Sequence, residues 1–117
     1  MGTIRNRMTI IHHYDLNEIT QVRESAIIYF SEIMKDYNID YIVETDMVSP
    51  ILKSPINGEY SFVIMGDCSK LGWEMSDEFD KYRRAWIKEQ VNNVQNILIA
   101  SFGEGDEPAY IEEIEPF

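Results

Sequence analysis

The sequence predicts an α+β domain in two layers, with two helices on one face of a mostly antiparallel sheet of four to five strands, in the order β-α-β-β-α-β-β. Three observations predict it. Two segments repeat apolar residues at three- and four-residue steps. Short runs rich in β-branched and aromatic residues flank them, and Pro, Gly, Asn and Asp mark the joints. With 117 residues, 44% hydrophobic and 12% aromatic, the chain has the length of one domain and enough apolar mass to fill a core. We read 1–117 as a single domain.

The first strand falls between Arg5 and Tyr14, where Met8-Thr9-Ile10-Ile11-His12-His13-Tyr14 is dense in β-formers. Asp15 ends it and, with Glu18, has the spacing of a capping box. Behind that box Ile19, Val22, Ala26, Tyr29, Phe30, Ile33, Met34 and Tyr37 make one apolar stripe. Glu18, Gln21, Arg23, Glu24, Ser25, Glu32 and Lys35 line the wet side. Asn38 closes this helix. The alternation from Ile39 to Val48 predicts the second strand, with Ile39, Tyr41, Val43 and Met47 facing inward and Asp40, Ile42, Glu44, Asp46 and Val48 on the other face. Pro50 and Pro55 interrupt the pattern. Asn57-Gly58 predicts a type I′ turn because both positions tolerate positive φ, and the strand Glu59–Met65 returns across it as a hairpin or wider β-arch.

Glycines together with Asp and Ser make residues 66–75 a loop. A second helix follows, capped by Ser76, with Asp77, Glu78 and Asp80 in its first turn and Lys81, Arg83, Arg84 and Lys88 later, an order that complements the helix dipole. Phe79, Tyr82, Trp86, Ile87, Val91 and Val94 are its expected buried stripe. Asn96-Ile97-Leu98-Ile99-Ala100-Ser101-Phe102 reads as a central strand, and Ala109–Ile114 as a last edge strand whose glutamates discourage edge-to-edge pairing. This order has one strand more than the split βαβ of ferredoxin-like domains and resembles a variant of them.

Charge is the strongest functional signal. Against 10 basic residues stand 21 acidic ones, a formal net of −11. The acid gathers in Asp36, Asp40, Glu44 and Asp46 and again in Glu104, Asp106, Glu107, Glu112, Glu113 and Glu115. Such a field repels nucleic acid and anionic membrane and draws the chain toward basic surfaces. No stretch approaches a membrane span and the N-terminus lacks a signal-peptide apolar region. Cys68 is the sole cysteine, so no intramolecular disulfide forms. These features predict a cytoplasmic protein.

Chemistry is sparse. The loop bearing Asp67, Cys68, Ser69, Lys70 and Trp73 sits at a strand end before a helix, a position that can bind anions or host a nucleophile. Cys68 would need His12 or His13 as its base. The competing reading makes these residues turn formers and a core cap. The adjacent histidines point to opposite strand faces and do not share a metal, and the Glu104–Glu107 loop lacks EF-hand spacing, so neither metal nor cofactor is expected. The basic residues of the second helix are explained by pairs such as Asp80 with Arg84, and a net charge of −11 argues against direct nucleic-acid binding.

The leading expectation is a non-enzymatic binding protein. Its contacts would be Asp40, Glu44, Asp46, Glu104, Asp106, Glu107, Glu112 and Glu113, patterned to imitate a phosphate row and occupy a basic, nucleic-acid-binding surface of a partner protein. In size, acidity and bare scaffold the chain is similar to the small accessory and anti-defence proteins that phages encode, a resemblance that transfers no site residues. Two other readings differ in class. One is a small enzyme or ligand-binding domain around the 66–76 loop, and the other is a self-associating module, a homodimer through the sheet face that the helices leave uncovered.

Overall fold

The computed structural model describes residues 5–36, 47–66, 74–103 and 108–112, apart from the side chains of Asp36, Met75 and Ser76. Two helices pack on a five-stranded antiparallel sheet. The strands are β1 (Arg5–His13), β2 (Leu52–Lys53), β3 (Tyr60–Ile64), β4 (Asn96–Gly103) and β5 (Tyr110–Glu112), and the helices are α1 (Leu16–Asp36) and α2 (Glu74–Gln90). Across the sheet the order is β2-β3-β1-β4-β5. β1 is central, pairing His13 with Tyr60 on one side and Arg5 with Gly103 on the other. β4, read as a central strand, is paired on both sides, between β1 and the edge strand β5.

The β1 alternation decides which face is core. Thr9 and Ile11 are fully buried under the helices, and Phe62, Ile64 and Ile99 join them from neighbouring strands. α1 supplies Ile19, Val22, Ala26, Phe30, Ile33 and Met34, the stripe its periodicity predicts; Tyr37 lies outside the described residues. Phe30 stands between Phe79 and Trp86 of α2, with ring centroids 5.8 and 5.9 Å away. Trp86 Nε1 donates to Ser25 Oγ at 3.1 Å, so the largest core ring satisfies its one polar atom on the opposing helix. The α1 cap is half the expected box. Asp15 Oδ1 accepts the Glu18 amide at 2.9 Å, but the Asp15 amide donates to His13 Nδ1 at 2.8 Å. His13 therefore takes the reciprocal place predicted for Glu18 and holds its proton on Nε2.

Several sequence expectations meet a different arrangement. Among the described residues the second strand is Leu52–Lys53, between the two prolines. Of the span Ile39–Val48, residues 39–46 lie outside the described residues. Val48, assigned to the outer face, is 1% exposed and bridges Ile64. The hairpin turn is wider than a two-residue type I′ turn. Ser54 N donates to Glu59 O at 2.7 Å and Gly58 N to Ser54 O at 3.1 Å, closing a four-residue loop over Pro55-Ile56-Asn57-Gly58. Proline's fixed φ suits the start of that loop, and Gly58 with φ 70° supplies the left-handed residue. α2 begins at Glu74, so Ser76 is inside the helix and is not its cap. Its buried stripe runs Phe79, Arg83, Trp86, Ile87 and Gln90, while Tyr82, predicted inside, is 44% exposed. The helix is rotated because Arg83 has partners beneath it.

Gly66 fixes how β3 leaves the sheet. A Cβ there would stand 2.8 Å from Arg7 N and 2.9 Å from Arg7 O, both backbone atoms of the central strand. Gly66→Ala is expected to destabilise the fold by about 1–3 kcal/mol through forced separation of β1 from the chain after β3. A lowered urea midpoint with an unchanged m-value checks it.

Candidate functional site

Five charged side chains meet where α2 crosses the β1, β4 and β5 end of the sheet. Their centre is Arg83, 1% exposed in the middle of an apolar stripe. Its Nη1 donates to the Arg7 carbonyl at 2.9 Å, and its Nη2 pairs closely with Asp80 and stands 3.8 Å from Glu112 Oε2. Arg84 bridges the same carboxylates, with Nε 3.1 Å from Asp80 Oδ2 and Nη2 2.8 Å from Glu112 Oε2. Arg7 Nε donates to Glu112 Oε1 at 3.1 Å. Glu112 thus faces three guanidiniums, and Asp80 two.

A buried guanidinium is tolerated only when its donors are met, and here a carbonyl and two carboxylates meet them. Burial pushes the Asp80 carboxyl up, but the Arg83 charge, the hydrogen bonds from Arg83 and Arg84 and the Arg7 charge outweigh it and hold Asp80 below the usual carboxylate range. Arg5, 4% exposed, works beside this cluster. It donates to Ser101 Oγ at 3.2 Å and to Pro108 O at 2.9 Å, and it stacks over Tyr110 at 5.3 Å. Strand β5 is three residues long. Arginines on β1 and α2 hold it from the side as much as its ladder does.

A second constellation lies on the other face of the sheet. His12 Nδ1 is 2.6 Å from Ser61 Oγ, and its Nε2 is 3.2 Å from Glu59 Oε2. Hydroxyl, imidazole and carboxylate thus stand in the order that activates a serine. Ser61, however, sits within a paired ladder, between His12 and Leu52. A flat ladder does not aim amide donors at a developing oxyanion. We read the three groups as a polar tie between β1 and β3.

The structure brings one of the sequence-predicted contacts into view. Glu112 is part of the arginine cluster, its carboxylate engaged within the molecule. Asp40, Glu44, Asp46, Glu104, Asp106, Glu107 and Glu113 lie outside the described residues, as do Asp67, Cys68, Ser69, Lys70 and Trp73 of the alternative ligand loop. Among the described residues no group of three or more His, Cys, Asp or Glu side chains is arranged to hold a metal. Among them, too, no helix is long and apolar enough to cross a membrane. Sequence reasoning found the Asp80–Arg84 pair but missed Arg83. The available signal was its position, four after Phe79 and three before Trp86, which puts it inside the stripe.

No protein-family model matches the chain, and comparisons with curated proteins and with solved structures find no match either.

Two predictions follow from the cluster's charge balance. Glu112→Gln keeps the shape but leaves three cations short of an anion, and is expected to cost about 3 kcal/mol, read from chemical denaturation. Asp80 has a folded pKa below its unfolded one, so its stabilisation is complete above the unfolded value and is lost as pH falls through the folded one. Between about pH 5 and pH 2 the wild-type chain should lose more stability than Asp80→Asn, which has no carboxyl to protonate there.

Proposed function

We propose that this chain is a non-enzymatic binding protein, of inhibitor or accessory type, whose acidic exterior occupies a basic, nucleic-acid-binding surface on a partner protein. The observation that carries this reading is the direction of the charges. All five arginines are engaged within the molecule, two of them buried: Arg5 with Ser101 and Pro108, Arg7 with Glu112, Arg23 with the Ser49 carbonyl at 2.8 Å, and Arg83 and Arg84 with Asp80 and Glu112. The helices meanwhile expose Glu18, Glu24, Glu32, Glu74, Asp77, Glu78 and Glu89. Cations that balance acids inside leave the exterior more acidic than composition alone implies.

The acid-rich sequence stretches at Asp40–Asp46 and Glu104–Glu115 add to that field. We read the scaffold as a ferredoxin-like variant with β5 added at the β4 edge, a fold that by itself prescribes no activity. Cytoplasmic location belongs to the same proposal, since a reducing compartment suits a chain with one cysteine.

The test uses two baits on a lysate column, the wild-type chain and the triple variant Asp40→Lys, Glu44→Lys, Asp46→Lys. The wild type is expected to retain a basic protein that leaves at moderate salt and is displaced by heparin, a polyanion. The triple variant should bind it with an association rate lower by about tenfold or more and a flatter salt dependence. Equal retention by both baits, or retention indifferent to salt and heparin, overturns the proposal.

A further inference from the structure

We propose that the sheet face opposite the helices is a self-association surface, closed by the same face of a second copy of this chain. This goes beyond the acidic-surface reading and does not rest on it. The register places the side chains. Residues alternating with buried Thr9, Ile11, Phe62, Ile64 and Ile99 point to the opposite face. That puts Met8, Ile10, Val63, Leu98 and Ala100 together across the three middle strands, each half-buried by its neighbours. Toward the β4 and β5 edge the face continues through Phe102, 37% exposed, and Ile111, 61% exposed, which pairs beside Ala100. Polar residues border this patch, with Asn6, itself buried, in one end row and Ser61, His12 and Asn96 in the other. An apolar centre with a polar rim is the anatomy of an interface.

Charge complementarity favours a second copy as the occupant. A chain of net charge −11 repels its own copies wherever carboxylates face each other. On this face the described strand residues carry no carboxylate, and Glu59, just before β3, is taken up by His12 at 3.2 Å. The described residues of this face offer a basic partner no free carboxylate, and they let two acidic copies stack without opposing charges.

Size agrees. The sheet is five strands wide at about 4.8 Å spacing and four rows long over β1 and β4, an envelope of roughly 24 by 20 Å whose corners the short β2 and β5 leave open. Side-chain relief brings the surface lost per copy near the lower end of the about 600–1,000 Å² that a stable dimer buries per partner. The same patch on both copies meets about a two-fold axis, in the manner of two sheets stacked about 10 Å apart.

The experiment is sedimentation equilibrium across a dilution series reaching micromolar concentration, at low and high salt. The wild-type chain is expected at twice its 13.7 kDa mass, with dimerisation held or strengthened by salt, because screening removes the repulsion between copies. Salt would dissociate a complex made through the acidic exterior, so the two proposals fail separately. Phe102→Lys with Ile111→Lys changes exposed positions, and with an unchanged circular dichroism spectrum it should weaken the dimer by about a hundredfold or more. Should the double variant not fold, Ile111→Lys alone carries the same test at the sheet edge. A wild type of single-chain mass throughout the series overturns the inference, whatever else covers the face. So does a dimer that the folded variants leave intact.

Discussion

The rest of the structure depends on a guanidinium held where water cannot reach it. Arg83 lies on the α2 stripe that also buries Phe79, Trp86 and Ile87, and leaving that charge without partners would cost more than any single apolar contact nearby returns. The fold meets the demand from three directions: the Arg7 carbonyl of the central strand, Asp80 one turn back on α2, and Glu112 on the edge strand. Each partner sets a position. The carbonyl fixes the height of α2 over β1, and Glu112 makes a three-residue strand worth keeping at the edge.

The cluster also divides the molecule electrostatically. Arginines recruited to the interior are withdrawn from the surface, so the helical layer shows water mainly carboxylates and lysines. The far side of the sheet is different in kind, because its strands alternate apolar residues outward with few charges among them. The domain is therefore two-sided, charged over its helices and apolar beneath its sheet. Those faces suit different partners, and salt acts on them in opposite senses.

Much of the fold is legible in the chain. The α1 stripe from Ile19 to Met34 is a clear helical period, and Asp15 caps it as read. The limits of β1, β3 and β4 fall close to their apolar runs. Legibility fails where a residue's role comes from a distant partner. Arg83 reads as solvent-facing because arginines usually are, and Tyr82 as buried because aromatics usually are. Only Arg7, Asp80 and Glu112 converging beneath the helix reverse the two. Glu112 is misread as a free edge-strand acid for the same reason, since its partners lie 28 residues or more away in the chain. Likewise, Asn57-Gly58 signals a turn, but its width depends on the Ser54–Glu59 bonds.

By itself the sequence determined the α+β class, the apolar face of α1 and the overall acidity, because local periodicity, caps and charge counts act over a few residues at a time. Tertiary structure alone decided the placing of β1 at the centre, the rotation of α2 about its axis and the fate of the arginines. Those outcomes turn on desolvation. Whether a charge is buried, and what it costs there, is settled by groups that only folding brings within 4 Å, and no neighbour in sequence can supply that information.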